Sequence, residues 1–217
     1  MTDSVKNTIE ALQRNLMDAM YAENSAEAVE LVKKIISKGS VVGTGGSQTL
    51  IQTGIIRFLQ NGDFEFLNRA KPGLKKEETE EILARSLTAD VFLCSANAIT
   101  ENGELFNVDG LGNRISAICY GPKKVIVVAG VNKIVKNIEQ AVTRLRTEAA
   151  PKNAARLGCA TPCNHTGICF AGENADINSV CDGCLSDDRI CCNYLISGRQ
   201  RIKNRISVII CNENLGY

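Results

Sequence analysis

The sequence predicts an α/β fold in which a mainly parallel sheet has helices on both faces. Short apolar runs alternate along the chain with segments whose apolar residues recur every three or four positions, which is the pattern of strands connected by helices. Two of these runs, at 91–94 and 125–128, contain no charged residue and are typical of strands covered on both sides. The 217 residues are 44% hydrophobic and 23% charged, which suits a globular domain with a core.

The chain begins with two predicted helices. The first has an apolar stripe with three- and four-residue spacing, formed by Ile9, Leu12, Leu16 and Met20. The second begins at Asn24, a typical capping residue with Glu27 three positions later, and it ends at Gly39. We expect this helical pair to precede the sheet.

The strands and helices of the sheet follow in alternation. The apolar pattern predicts strands at 40–42, 64–67, 91–94 and 125–128, and helices at 50–59, at 75–87 and from Asn132 to Leu145. Near the C-terminus, Ile202, Ile206, Val208 and Ile210 predict one face of a strand. The cationic residues at 199, 201, 203 and 205 indicate its solvated edge face, and anion capture by them is the alternative. The run 194–196 is expected to pair with this strand as a hairpin.

Charge and composition exclude several classes of partner. Lys and Arg total 25 against 24 Asp and Glu, and Trp is absent, so neither phosphate-backbone binding nor base stacking on nucleic acid is indicated. The longest purely apolar run, 125–129, is far shorter than a bilayer span, and the first residues contain no apolar secretory core. We expect a soluble cytoplasmic protein that binds neither nucleic acid nor membrane.

A glycine-rich loop follows the predicted strand at 40–42 and precedes a helix. Glycines let a backbone approach a ligand closely, and free N–H groups at a helix start favour an anion. A site for a small anionic metabolite, of phosphate, carboxylate or CoA type, is therefore predicted at Gly43, Thr44, Gly45, Gly46, Ser47, Gln48 and Thr49. The alternative is a tight turn in which Ser47 only caps the helix.

A second polar stretch, 95–110, follows the predicted strand at 91–94. Its many side-chain donors and acceptors predict ligand contacts from Asn97, Thr100, Asn107, Asp109 and the nearby Asn113. Ligands of such sheets bind at the strand ends. Two alternatives to ligand binding stay open. Asn102 and Gly103 would suit a hairpin turn, and the polar side chains would then bond only to the loop backbone.

A set of short motifs, spread over nearly the whole chain, resembles a known family. The motifs are GGSQTL at 45–50, the stretch 95–110, GNR at 112–114, GPKKV at 121–125, NKIV at 132–135, AAPKNA at 149–154, DRIC at 188–191 and NLGY at 214–217. Together they resemble the lactate-utilisation (LUD) domain family, in a short form with a cysteine-containing C-terminus. The resemblance implies a fold similar to ribose-5-phosphate isomerases, glucosamine-6-phosphate deaminases and CoA transferases. It also implies a part in L-lactate oxidation beside iron–sulfur partner proteins.

The resemblance implies roles for two residues of the polar stretch. The run 100–103 looks like the Ser-Glu-Asn-Gly of CoA transferases, whose glutamate attacks a thioester, which implies that Glu101 is a catalytic nucleophile or base. Asn97 stands where related sugar-phosphate isomerases carry an acid, and an amide cannot transfer a proton. Isomerase chemistry is therefore not expected.

Cysteine is the unusual feature of the composition, with ten residues, seven of them between Cys159 and Cys192. An intracellular chain uses such a cluster for metal more often than for disulfides. Short LUD-type chains resemble Pro-Cys…Gly-x-Cys…Cys…Arg-Ile-Cys, which implies that zinc or an iron–sulfur cluster binds Cys163, Cys169, Cys184 and Cys191. Because 170–181 looks inserted, Cys181 is a substitute ligand. Reduced thiols and a disulfide remain alternatives, and His165 is expected on a surface loop.

These features divide the chain into three parts. Residues 1–158 are expected to form the LUD-type α/β domain with N-terminal helices, 159–193 the cysteine-rich segment, and 194–217 the hairpin and closing strand of that domain. The first functional hypothesis is an accessory, electron-transfer-associated protein of lactate or 2-hydroxy-acid utilisation. The alternatives are a CoA-transferase-like enzyme or thioester hydrolase that uses Glu101, and a non-catalytic regulatory or interaction module with a structural metal.

Overall fold

The computed structural model of the chain describes residues 1–172 and 179–217. In these residues the strands are β1 (Asp18–Ala22), β2 (Val41–Thr44), β3 (Glu65–Leu67), β4 (Val91–Cys94), β5 (Ala98–Thr100), β6 (Leu105–Asp109), β7 (Lys124–Gly130), β8 (Ile134–Val135), β9 (Asn193–Ser197) and β10 (Ile206–Cys211). The α-helices are α1 (Asp3–Arg14), α2 (Ser25–Ile35), α3 (Gln48–Gln52), α4 (Ile55–Asn61), α5 (Lys76–Ser86), α6 (Asn113–Cys119), α7 (Ile138–Arg144), α8 (Ala150–Leu157) and α9 (Pro162–Thr166). A π-helical turn, Leu145–Ala149, joins α7 to α8.

A six-stranded sheet forms the centre of the fold, in the order β1-β10-β7-β4-β2-β3. Every neighbouring pair in it is parallel. On one face Val32 and Leu50 pack with strand residues such as Leu93, and on the other face Leu12 packs with Phe92 and its neighbours. Because both faces are covered, the strands bury nearly continuous apolar runs. The predicted α/β fold with a mainly parallel sheet and helices on both faces is confirmed.

A second sheet of four strands, ordered β8-β5-β6-β9, lies beside the first, and the sequence does not predict it. Half of the polar stretch 95–110 forms the antiparallel pair β5 and β6. Their turn contains Asn102 and Gly103, as the hairpin alternative predicts. Gly103 has a φ of +83°, and an added Cβ would lie 2.6 Å from the carbonyl carbon of Ala11 in α1. Only glycine allows this close approach of hairpin and helix.

The N-terminal helical pair is present, but the first helix is shorter than its apolar stripe predicts. Helix α1 ends at Arg14, Leu16 takes a φ of +62°, and Met20 lies in β1. Strand β1 pairs with β10, so tertiary pairing overrides the helical spacing. The predicted second helix is confirmed as α2, with Asn24 accepting a hydrogen bond from the Glu27 amide at 3.0 Å.

The prediction of a C-terminal hairpin is wrong. Strand β9 pairs with β6 in the second sheet, whereas β10 lies in the first sheet between β1 and β7. The cationic residues do not form a solvated strand face either, because residues 198–205 lie in the bends and turns between β9 and β10. Arg205 instead donates to the carbonyls of Ala117 and Ile118 at the end of α6.

The helix predicted from Asn132 begins later than expected. Asn132 and Lys133 lie in a short 3₁₀ turn, β8 follows, and Asn137 caps α7. The side chain of Asn132 accepts a hydrogen bond from the Leu215 amide at 3.0 Å. This arrangement brings Lys133 into the interior, beside the end of β4.

None of the helices within 1–172 and 179–217 has the length and apolarity needed to cross a bilayer. The division of the chain at 158 and 193 stays a prediction. Strand β9 belongs to the second sheet, so the cysteine-rich segment connects α8 to that sheet.

Candidate functional site

A cavity of about 320 Å³ opens at the carboxyl ends of β2, β4 and β6. Parallel α/β sheets bind ligands at this edge because successive loops converge there. The described residues that line it are Gly46, Ser47, Gln48, Arg69, Ser95, Ala96, Asn97, Val108, Asp109, Gly110, Leu111, Asn113, Arg114, Lys133, Ala149, Asn153, Arg156, Leu157, Ile190, Gly216 and Tyr217. Several distant parts of the sequence therefore contribute to one site.

An ion pair between Asp109 and Arg114 forms one wall of the cavity. Asp109 Oδ1 lies 2.8 Å from Arg114 Nε and 2.7 Å from its Nη2. Asp109 Oδ2 accepts the backbone N–H groups of Arg114 and Ile115, both at 3.0 Å, at the start of α6. The two side chains are 9% and 14% exposed, and such a partly buried pair is held by hydrogen bonds as well as by charge.

Arg114 connects this wall to the loop after β4. Its guanidinium donates to the carbonyls of Ser95 at 3.0 Å and Val108 at 2.9 Å, and to Asn97 Oδ1 at 2.8 Å. Gly45 lies against the same side chain, where an added Cβ would come within 3.3 Å of the Arg114 methylenes. The wall is thus a fully bonded scaffold whose positive and negative charges balance.

Lys133 is a buried amine in the lining of the cavity. It is 3% exposed, and its Nζ donates to Ser95 Oγ at 3.1 Å and to the Ala96 carbonyl at 3.2 Å. Burial, followed by the positive charges of Arg144 and Arg114, lowers the pKa of Lys133 to about 7. A lysine with such a pKa changes charge near neutral pH, which is a frequent property of functional sites.

Arg69 and Arg156 supply two further positive charges. Arg69 has no hydrogen-bond or ion-pair partner among residues 1–172 and 179–217, and burial lowers the pKa of its guanidinium. Arg156 donates to Asn153 Oδ1 at 2.8 Å and to the Tyr217 hydroxyl at 2.7 Å. Asp109 is the one carboxylate side chain among the described residues that line the cavity, and Arg114 already neutralises it. The remaining cations favour an anionic ligand.

The C-terminal residues close the cavity on a third side. Gly216 has a φ of +62°, and an added Cβ would lie 3.3 Å from Lys133 Nζ. Thr49 Oγ1 donates to the Leu215 carbonyl at 3.3 Å, and Gln52 Oε1 accepts the Gly216 amide at 2.6 Å. The predicted ligand residue Thr49 thus holds the chain that lines the cavity.

The structure brings six of the predicted ligand residues to the cavity: Gly46, Ser47, Gln48, Asn97, Asp109 and Asn113. Ser47 also caps α3, accepting the Leu50 amide at 3.2 Å, as the alternative reading of the loop expects. Asn97 and Asp109 bond to loop backbone and to Arg114. Asn97 and Asp109 therefore have a structural role in the cavity wall, and contact with a ligand stays a prediction.

The other predicted ligand residues do not line the cavity. Gly43 packs against α5, where an added Cβ would lie 2.8 Å from Ser86 Oγ, and Thr44 is buried. Thr100 pairs with Glu104. Asn107 is fully buried in β6 with neither side-chain polar atom hydrogen-bonded in the described structure. Their ligand roles stay predictions that this geometry does not favour.

Glu101 lies at the opposite end of the β5–β6 hairpin from Asn97 and Asp109. Its carboxylate accepts the Ser4 hydroxyl of α1 at 2.6 Å, and it does not belong to the cavity lining. A catalytic role for Glu101 stays a prediction, and the structure places it apart from the converging cations.

The sequence does not identify the four basic residues of the lining, Arg69, Arg114, Lys133 and Arg156, as site residues. Lys133 and Arg114 appear in it only as parts of family motifs, and Arg69 and Arg156 carry no local signal. Arg114 and Lys133 come shortly after β6 and β7, so the rule that ligands bind at strand ends could have singled them out. Arg156 is a helix residue whose position depends on how α8 packs.

The predicted metal ligands lie in the cysteine-rich segment, and none of the ten cysteines, all of them described residues, forms a disulfide bond. Cys163, Cys169, Cys184 and Cys191 are partly exposed, whereas Cys181 and His165 are exposed. In residues 1–172 and 179–217, no three His, Cys, Asp or Glu side chains are grouped so that they could hold a metal ion. Part of the predicted insertion, 173–178, falls outside the described residues. The metal stays a prediction, and Cys191 lies near enough to Cys169 and Cys184 for their charges to interact.

Arg189 organises this segment. Its guanidinium donates to the carbonyls of Cys191 at 3.0 Å and of Cys181 and Cys184 at 3.3 Å, and its Nε lies 3.3 Å from Cys191 Sγ. Gly183 allows the close approach, because an added Cβ would lie 2.7 Å from the guanidinium carbon. One side chain thus crosslinks backbone that has no regular secondary structure.

The chain matches a protein family and is similar in part to solved structures. A family model for the LUD domain matches residues 5–211. A DUF162 family protein from Deinococcus radiodurans is 13% identical, with 97% of each chain covered and a TM-score of 0.47. The eIF2B beta protein from Chaetomium thermophilum is 16% identical over 53% of this chain and 44% of that chain, with a TM-score of 0.37. A D-ribose-5-phosphate isomerase in complex with phospho-erythronic acid is 16% identical over 82% of this chain and 78% of that chain, with a TM-score of 0.36.

No curated protein matches the chain. The structural likenesses have low identities and low TM-scores, so they carry no argument about ligand or activity. The family match, in contrast, covers nearly all of the sequence and agrees with the motifs at 45–50, 95–110 and 112–114. The chain therefore belongs to the LUD domain family.

Proposed function

We propose that the cavity binds a small carboxylate-bearing metabolite of the 2-hydroxy-acid or 2-oxo-acid class. The observation that carries this proposal is the charge of the lining: three arginine side chains, Arg69, Arg114 and Arg156, face one carboxylate side chain, Asp109, which Arg114 already pairs. The association of the LUD domain family with lactate utilisation supports a short carboxylic acid. The volume of about 320 Å³ is at the lower end for ligand pockets and suits a small metabolite better than a whole coenzyme.

Arg69 is the residue best suited to receive the carboxylate. Its guanidinium offers several N–H donors and makes no hydrogen bond to a described residue, so a bidentate carboxylate would satisfy it without breaking an existing contact. Arg114 cannot act in the same way, because its donors are occupied by Asp109 and by carbonyl groups. Arg156 is partly occupied by Asn153 and Tyr217 and would act as a second, weaker contact.

We propose the setting of this binding to be lactate or 2-hydroxy-acid utilisation, with the chain as an accessory protein. The support is the family itself, and iron–sulfur partner proteins stay a prediction of that setting. No observation favours thioester chemistry, since Glu101 bonds to Ser4 and lies outside the lining.

Isothermal titration calorimetry on the full chain tests the proposal with L-lactate, pyruvate, inorganic phosphate and coenzyme A. We expect L-lactate or pyruvate to bind, and Arg69→Met to weaken that binding about tenfold or more, because hydrogen bonds between charged groups are worth about 1.5–3 kcal/mol. Arg57→Met is the matched control, since Arg57 is exposed on α4 and outside the lining. The proposal fails if neither acid binds, if phosphate alone binds, or if both variants bind the acids as the wild type does.

A further inference from the structure

The hydrogen-bond partners of Lys133 match a neutral amine. A neutral amine has two N–H donors and one lone pair, whereas an ammonium group has three donors. Within the described residues, Nζ has two acceptors, Ser95 Oγ and the Ala96 carbonyl. Both N–H groups of a neutral amine would therefore be satisfied, and its lone pair would stay available. An ammonium group at this place would keep one buried donor without a partner, at a cost in free energy.

The charges around Lys133 also favour the neutral form. Arg144 of α7 and Arg114 of α6 are the charged neighbours with the largest effect, and the Cys94 thiol of β4 has a pKa raised to about 12 by burial, so it brings no negative charge at neutral pH. Lys133 makes no ion pair among residues 1–172 and 179–217. A desolvated amine beside other cationic groups, without a counter-charge, is the arrangement used by nucleophilic lysines.

We propose that Lys133 is a nucleophile that condenses with the carbonyl group of a 2-oxo acid bound in the cavity. This inference rests on the proposed function, because the cations of the cavity must hold the carboxylate of the same molecule. It adds a substrate class: a 2-oxo acid reacts, whereas the corresponding 2-hydroxy acid binds without reaction because it has no carbonyl.

The condensation balances without any other reactant. The Nζ nitrogen forms a bond with the C2 carbon of the 2-oxo acid, and the C2–oxygen double bond is lost. The oxygen leaves as one water molecule that carries away the two amine protons, and an imine remains. No electrons are transferred, and a proton taken from solvent converts the imine to an iminium ion. Ser95, which accepts from Nζ at 3.1 Å, is a positioning residue for this step.

Borohydride trapping tests the inference. The full chain is incubated with pyruvate, reduced with sodium borohydride, and examined by intact mass and by peptide mapping. We expect one reduced pyruvate adduct per chain, on the peptide that contains Lys133, and no adduct with L-lactate. Lys133→Met should abolish the adduct. Lys136→Met is the matched control and should keep it, since Lys136 is exposed and lies three residues away outside the lining.

The outcomes separate this inference from the proposed function. Pyruvate that binds by calorimetry but leaves no adduct on Lys133 overturns the inference and leaves the proposed function standing. Adducts spread over exposed lysines overturn it as well. Failure of both pyruvate and L-lactate to bind overturns both. Because peptide mapping of the wild type locates the adduct by itself, the result does not depend on the stability of Lys133→Met.

Discussion

Arg114 and Arg189 each organise one region of the molecule, and they do so with different partners. Arg114 holds the cavity wall through the Asp109 carboxylate, the Asn97 amide and two backbone carbonyls. Arg189 holds the cysteine-rich segment through backbone carbonyls and one thiol, with no ion pair among residues 1–172 and 179–217. Arg114 is thus part of an ion pair between a strand and a helix, whereas Arg189 is a cation that donates hydrogen bonds to several loop carbonyls.

The difference reflects how much of the backbone in each region is already hydrogen-bonded in regular secondary structure. The partners of the Arg114 guanidinium lie on or directly beside β4, β5 and β6, whose backbones are already paired, so the guanidinium adds rigidity to an ordered scaffold. The segment around Arg189 has few buried apolar residues, and Leu185 is 97% exposed. The backbone carbonyls of this segment are not paired in a helix or a sheet, so they need hydrogen bonds from other donors. Arg189 supplies crosslinks that sequence reasoning expects from a metal.

The largest expected change in the free energy of unfolding comes from replacing Arg114 in the cavity wall. Arg114→Met should lower the free energy of unfolding by about 3–5 kcal/mol, because it leaves the Asp109 carboxylate buried without its counter-charge. Urea unfolding measures this. The control is Arg85→Met, which breaks an exposed pair with Glu65 and should cost about 1 kcal/mol or less. Equal losses in the two variants would show that Arg114 is not the centre of a rigid wall.

The second expected effect concerns Lys133, which has no ion-pair partner among the described residues, in contrast to Arg114. The pKa of Lys133 is about 7 in the folded chain and about 10.4 in the unfolded chain. Between these values the unfolded state binds more protons, so stability increases with pH and is lost as pH falls toward 7, by about 1.4 kcal/mol per pH unit.

Comparison with Lys133→Met isolates this contribution from other titrating groups. The free energy of unfolding of the wild type, relative to the variant, should rise by about 2.7 kcal/mol over about two pH units above 7.5. Denaturant titrations at several pH values measure it, with Lys136→Met as the control for loss of an exposed lysine. A difference that stays constant with pH would mean that Lys133 has a carboxylate partner or is solvated.

The smallest effect is expected in the second region. Arg189→Met should lower the global free energy of unfolding by about 1–2 kcal/mol, since its hydrogen bonds are partly exposed and solvent replaces some of them. It should speed proteolytic cleavage between 179 and 192 while cleavage elsewhere stays unchanged. Limited proteolysis with mass spectrometry measures both rates. Uniformly faster cleavage along the chain would show that the segment unfolds together with the sheet.

Part of this molecule is predictable from local pattern alone. The continuous apolar runs of β4 and β7, the helical stripe of α5 and the cap at Asn24 all depend on residues close in sequence. The polar residues at the ends of β2 and β4 indicate the edge of the sheet where the cavity opens. The family motifs, spread over the chain, identify the LUD domain.

Other features depend on contacts between distant residues. Met20 lies in a strand because it pairs with β10, which is distant in sequence. Strand β9 pairs with β6 and not with the neighbouring strand in the sequence, β10. Of the polar residues on the β5–β6 hairpin, those at one end face the cavity and Glu101 at the other end faces α1.

The alternation of strands and helices follows from local pattern, because side-chain periodicity is a property of neighbouring residues. In contrast, Arg69, Arg114, Lys133 and Arg156 come together in one cavity only when the chain folds. Their convergence requires strand order, helix packing and the path of the C-terminal residues, and none of these is encoded in local spacing. The low pKa of Lys133 has the same origin, since burial and the nearby arginines exist only after folding.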